Sequence, residues 1–183
     1  MSKGILLLFD ENSSSILKKI YLKYQEHNLC DFMAKENIPA HITLAANDVI
    51  DFDLVSASIP QALSLFNPFK IRFASIGYFP ATKIMFLNPK ESEDLRLIQS
   101  LIQDIITDSL PDSISEGLYS STVWIPHCTL ANQIKSQKVS QIIDITQEML
   151  DLQPDKPFIA TVSAIALFKY PDFEIIKKWS LGG

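Results

Sequence analysis

Short β-branched runs alternate irregularly with amphipathic stretches, and hairpin-like pairs are mixed among them, so the sequence predicts an α+β fold rather than a doubly wound parallel sheet. A second observation refines this. The segment His41-Ile42-Thr43-Leu44-Ala45 is echoed 86 residues later by His127-Cys128-Thr129-Leu130-Ala131, which predicts two pseudo-symmetric antiparallel-sheet lobes with flanking helices around a central cleft. Third, 183 residues with 47% hydrophobic and 20% charged content can enclose a substantial core, and no linker interrupts them. The expectation is a single bilobal domain over residues 1–183.

The elements follow in order. Gly4–Phe9 reads as a buried strand, and Asn12–Ser15 supply N-cap candidates before a helix with its stripe at Ile16, Leu17, Ile20, Tyr21 and Tyr24. After Pro39, His41–Ala46 is a strand. Asp53–Phe66 reads as a helix in which Pro60 falls near an end or introduces a kink. Phe69–Tyr78 and Thr82–Leu87 read as strands joined through Phe79-Pro80-Ala81. Glu91–Leu110 carries the clearest helical stripe, Leu95, Ile98, Ile102 and Ile105, with acidic residues in its first turn. A loop rich in Ser, Asp and Gly covers 111–122. Trp124–Leu130 is a strand entered through Pro126, and Val139–Leu152 a helix stopped by Pro154. Phe158–Phe168 and Phe173–Leu181 close the chain as an antiparallel pair turning at Tyr170-Pro171-Asp172.

Composition removes several function classes. The longest apolar run, Ile5–Phe9, is far short of the ~18 residues of a membrane span. The start Met1-Ser2-Lys3-Gly4 with that run is too brief for a secretory signal and meets Asp10-Glu11 at once, so a cytoplasmic location is expected. Cys30 and Cys128 have neither metal-ligand spacing nor a disulfide framework. A net charge of −5 and a pI near 5.1 argue against gripping a long polyanion by counterion release, whereas a short nucleotide or an RNA tip fits a local pocket.

Two of the three histidines carry Thr at +2 and Leu at +3. In a strand, i and i+2 share a face, so each copy presents an imidazole with a hydroxyl and turns Ile42/Leu44 or Cys128/Leu130 toward an apolar layer. Cys128 is thereby a core residue and not a nucleophile. Two lobes related by an approximate two-fold bring both imidazoles to one cleft. Such a set suits phosphodiester cleavage. One neutral imidazole takes a proton from the attacking oxygen, one imidazolium protonates the leaving oxygen, and hydroxyls donate to the non-bridging oxygens. Tyr78, Phe79 and Trp124 are the candidates for stacking a base. His27, at the polar end of the first helix, is assigned no role.

The paired segments, Pro39-Ala40-His41-Ile42-Thr43-Leu44 and Trp124-Ile125-Pro126-His127-Cys128-Thr129-Leu130, resemble those of the 2H phosphoesterase superfamily, particularly its bacterial 2'-5' RNA ligase-like branch. Their separation, the opening strand and the closing Ile165-Ala-Leu-Phe-Lys-Tyr-Pro stretch resemble that group as well. The resemblance implies a bilobal α+β structure, His41 and His127 as the catalytic pair, and Thr43 and Thr129 as phosphate-binding hydroxyls. It also implies action without metal or cofactor on a nucleotide or RNA terminus bearing a 2',3'-cyclic phosphate or a 2'-5' linkage. The leading expectation is hydrolysis of 2',3'-cyclic phosphodiesters by a monomeric enzyme. The alternatives are 2'-5' ligation or 2'-5' phosphodiester cleavage at the same site, and a nucleotide-binding module without turnover.

Overall fold

The computed structural model describes residues 3–48, 50–109, 119, 122–171 and 173–182. Most of the loop expected over 111–122, and Asp172 of the last turn, lie outside them. Among the described residues, seven strands, β1 (Lys3–Phe9), β2 (His41–Asn47), β3 (Phe69–Phe79), β4 (Ile84–Pro89), β5 (Cys128–Ala131), β6 (Ile159–Lys169) and β7 (Glu174–Ser180), are interspersed with five α-helices. These are α1 (Glu11–Glu26), α2 (Phe32–Lys35), α3 (Phe52–Leu63), α4 (Glu93–Ser109) and α5 (Val139–Asp151). The class is α+β, and every strand pairing is antiparallel.

The order β1-β2-β5-β4-β3-β6-β7, with an additional β1–β6 pairing, makes the sheet return on itself. One arm is β2-β1-β6-β7 and the other is β5-β4-β3, continuing onto the first residues of β6. The arms are the two expected lobes. They meet where β2 pairs β5 and where β6 serves both, so they form one continuous sheet.

Local chemistry sets the boundaries. Helix α1 starts one turn earlier than the Asn12–Ser15 signal, because Asp10 is the cap and its carboxylate accepts from the Ser13 N–H at 2.8 Å. Asp51 caps α3 in the same manner, accepting from the Asp53 and Leu54 N–H groups. Pro60 lies in the last turn of α3, where it has no N–H to donate to the helical ladder, and the helix ends three residues later at Leu63. Strand β5 is shorter than Trp124–Leu130, since Pro126 has no N–H to offer a ladder. Phe79 ends β3 rather than opening the turn, which is made instead by 80–83 with Lys83 at φ 56°. The α4 stripe ends on Ile106 rather than Ile105. Helix α2 has no signal in the sequence.

The helices and the reverse faces of both motif strands share one core. Leu17, Ile20 and Tyr21 of α1, Ile98 and Ile102 of α4 and Ile142 of α5 pack with Ile42, Leu44, Cys128 and Leu130, all essentially inaccessible. A smaller cluster, Leu6, Leu8, Ala164, Ala166 and Phe168, occupies the opposite face of the first arm. Strand β1 is thus apolar on both sides, which explains its unbroken hydrophobic run. Among the described residues no helix is long and apolar enough to cross a membrane.

Candidate active site

The two motif strands meet at one residue pair, Ile42 opposite Cys128. In an antiparallel ladder, one step to either side sets His41 across from Thr129 and Thr43 across from His127. The two imidazoles are therefore diagonal neighbours about an approximate two-fold, and Cβ atoms in such a relation lie roughly 7–8 Å apart. The two hydroxyl-bearing residues occupy the other diagonal. All four side chains are half-buried, so they face an open cleft. Their reverse-side neighbours are sealed in the core, as the alternation requires.

Both rings are fixed by the same contact. His41 Nδ1 lies 2.7 Å from the carbonyl of Pro39, and His127 Nδ1 lies 2.7 Å from the carbonyl of Ile125. A carbonyl only accepts, so each Nδ1 carries a proton and each Nε2 is left as the nitrogen available for chemistry. Each carbonyl belongs to the residue two positions upstream. The turn into each strand therefore positions its own histidine. Burial holds both imidazoles below the usual histidine range, against the opposing effect of the carbonyl contacts, and the charge of His127 depresses His41 further. That effect of His127 on His41 is the electrostatic sign of two rings near each other.

The motif backbones are braced from outside. Trp124 Nε1 donates to the Thr43 carbonyl at 2.9 Å, Gln103 Nε2 to the Leu44 carbonyl at 3.1 Å, and the buried Tyr21 hydroxyl to the Thr129 carbonyl at 3.1 Å. Tyr21 also hydrogen-bonds Cys128, whose thiol burial pushes up to about 12. A thiol so protonated is no nucleophile at neutral pH, in keeping with its expected core role.

Of the three aromatics expected to flank the cleft, only Phe79 stands beside an imidazole, its ring centroid 5.3 Å from that of His127 in edge-to-face contact. Tyr78 alternates to the other side of β3 and packs against the main core. Trp124 also packs there, with its N–H engaged by Thr43. The sequence reading missed Phe86, which stacks on Phe79 at 4.3 Å and lies 5.4 Å from His127. Gly77 makes this arrangement possible, since a Cβ there would fall 2.3 Å from the Phe86 ring. An isolated glycine within a strand was the available signal. Also missed were Phe32, Phe168, Tyr170 and Phe173, which wall a cavity of about 360 Å³ whose floor includes His41, Thr43 and Thr129. Chain folding gathers these rings from α2, the end of β6 and the β6–β7 turn, and no local spacing announces them. His27 caps the end of α1 and is exposed. No three His, Cys, Asp or Glu side chains gather as a metal-binding group among the described residues.

The family model of the 2'-5' RNA ligase superfamily matches residues 23–172, a span that includes both motifs. The chain belongs to the 2'-5' RNA ligase superfamily. Solved structures share the fold of this superfamily member at low identity. TT0787 of Thermus thermophilus is 17% identical with a TM-score of 0.62, over 100% of this chain and 99% of that one. E. coli LigT complexed with 3'-AMP is 12% identical with a TM-score of 0.61, over 99% and 98%. A crystal structure described as a phosphoesterase is 11% identical with a TM-score of 0.59, over 99% and 98%. No curated protein sequence matches the chain.

Proposed function

We propose that this chain is a phosphoesterase that hydrolyses 2',3'-cyclic phosphodiesters of nucleotides or RNA ends, with His41 and His127 as its acid–base pair and Thr43 and Thr129 as phosphate-binding hydroxyls. The observation that carries the reading is the matched pair of Nδ1–H contacts to the Pro39 and Ile125 carbonyls, which leaves two equivalent Nε2 atoms for one phosphoryl group. Binding of 3'-AMP by the similarly folded LigT supports a nucleotide as the ligand.

The chemistry follows from those atoms. One imidazole, neutral, accepts a proton at Nε2 from water as the water oxygen bonds to phosphorus. The other, protonated, gives its Nε2 proton to a ribose oxygen as the P–O bond to that oxygen breaks. The product is a nucleoside phosphomonoester, and the two histidines have exchanged protonation states until solvent resets them. Charge accumulating on the non-bridging oxygens is met by the Thr43 and Thr129 hydroxyls. With a ribose hydroxyl in place of water as the attacking group, the same pair would make a 2'-5' linkage, and the reverse step would break it, so joining and cleaving are variants of one site.

The test is turnover of 2',3'-cyclic nucleotides and 2'-5' dinucleotides by the wild type and by His41→Ala and His127→Ala. Each substitution is expected to lower the rate by ~10²- to 10⁴-fold in a protein that remains folded, and wild-type activity is expected to persist in EDTA. Full activity in folded His41→Ala would end this reading. Saturable nucleotide binding with no product from any of these substrates would favour the binding module instead.

A further inference from the structure

The Leu-Ala that closes each motif marks a break in the ladder. Ile5 pairs Ala45 and Leu6 pairs Thr43, so Leu44 is an extra residue on β2. Met85 pairs Ala131 and Phe86 pairs Thr129, so Leu130 is an extra residue on β5. Each motif strand therefore carries a β-bulge directly after its threonine. The alternation fails at the same place in both copies, and two consecutive residues, Leu44-Ala45 and Leu130-Ala131, are buried. A bulge bends its strand, re-aims the side chains beside it and disrupts the ladder locally, so something else must hold the threonine in place.

In both copies a side chain remote in sequence does so. The Trp124 Nε1–H donates to the Thr43 carbonyl at 2.9 Å, and the Tyr21 hydroxyl donates to the Thr129 carbonyl at 3.1 Å. One donor is an indole beside β5 and the other a phenol on α1, yet they reach the same atom of the two motifs. Gln103 adds a third donor, to the carbonyl of the bulge residue Leu44 at 3.1 Å. Trp124 also ties the motifs together. The next residue is Ile125, whose carbonyl receives the His127 Nδ1–H. One dipeptide thus holds Thr43 of the first motif and His127 of the second. Neither Trp124 nor Tyr21 lines the cavity that includes His41, Thr43 and Thr129.

We propose that Trp124 and Tyr21 are positioning residues that fix the two bulges and so aim the Thr43 and Thr129 hydroxyls at the non-bridging oxygens of the phosphoryl group. This rests on the phosphoesterase reading above. The peptide unit is planar, so fixing the carbonyl oxygen of a threonine fixes its ψ and, with it, the direction of its Cα–Cβ bond relative to the strand. A hydroxyl displaced by ~1 Å from the charge it meets forfeits up to ~10²-fold in rate.

Double-mutant cycles test this, with Trp124→Phe and Tyr21→Phe each removing a donor while keeping an aromatic ring. In a folded protein each is expected to lower kcat/KM on a 2',3'-cyclic nucleotide about tenfold, with the pH profile unmoved because both Nδ1–H contacts remain. The pairing of effects is the discriminating result. Trp124→Phe is expected to cost less than about twofold once Thr43 is replaced by Ala, and its full tenfold in a Thr129→Ala background, with Tyr21→Phe showing the reverse. Equal losses in both threonine backgrounds, as from a strut that only stabilises the fold, overturn the proposal, and so does no loss in either single variant. The same cycles read by calorimetry with a nucleoside 3'-monophosphate are expected to show the same pairing in affinity. That readout needs no turnover, so a wild type that hydrolyses nothing counts against the phosphoesterase reading while the positioning role is still judged.

Discussion

At the scale of single residues, what matters about His41 and His127 is that the backbone chooses their tautomer. A carbonyl two residues upstream takes Nδ1–H in each case, so neither ring needs a carboxylate to orient it. Burial lowers both pKa values below about 6.5, and the neighbouring charge separates the two titrations. The base must be neutral and the acid protonated, so both limbs of the kcat/KM profile move to lower pH. The expected outcome is a bell with its optimum on the acidic side of about 6.5. A pH series on a cyclic nucleotide checks it, and an optimum well above 7 contradicts it. The motif residues were legible in the sequence because each pair occupies a single strand, where spacing alone fixes the face. The carbonyl contacts were not legible, since they depend on the turn geometry at Pro39 and Pro126.

At the scale of elements, the site depends on β2 and β5 meeting in one register. Ile42 and Cys128 are the paired residues and are both fully buried. Ile42→Ala removes side-chain volume directly behind both motifs, and a destabilisation of about 2–5 kcal/mol is expected from denaturant unfolding. Gly77→Ala tests the other arm. Its new methyl would collide with the Phe86 ring, so that ring must leave its place against His127. A loss of stability of about 1–3 kcal/mol is expected, together with reduced turnover. A variant with wild-type stability and rate would show that this ring is free to move. Periodicity located α1, α4, α5 and β6 because their apolar faces are long, whereas β7, exposed along nearly its whole length, was marked by the turn before it. It misjudged the start of α1, where Asp10 outcompetes the serines, and the length of β5, which Pro126 curtails. Tyr78 and Trp124 do not stand beside the imidazoles: Tyr78 alternates onto the core face of β3, and Trp124 packs on the core with its N–H given to the Thr43 carbonyl.

For the whole molecule, the return of the sheet onto β6 is what sets two distant segments side by side, and repetition of the motif was its only trace in the sequence. Which strands closed the circuit could not be read, because β6 has two partners on one edge in succession, β3 and then β7. The aromatic cavity was hidden for the same reason. Global stability carries a further consequence of the two half-buried imidazoles. Their folded pKa values lie below the unfolded value of about 6.5, so below that pH the unfolded chain binds more protons. Their contribution is harmless at pH 7 and destabilising as pH falls through and beneath 6.5. Thermal melts between pH 7 and 5 are therefore expected to show a smaller drop in Tm for His41→Gln/His127→Gln than for the wild type. An equal drop would mean that the imidazoles titrate alike in both states.

The convergence of two Nε2 atoms on one phosphoryl group is tested most directly by ¹⁵N NMR of the histidine rings during titration with a nucleoside 3'-monophosphate. The expected result is that His41 and His127 both begin as Nδ1–H tautomers, and that both Nε2 signals shift together and saturate at one equivalent while exposed His27 stays still. A response confined to one ring, or carried by Nδ1, would contradict the account.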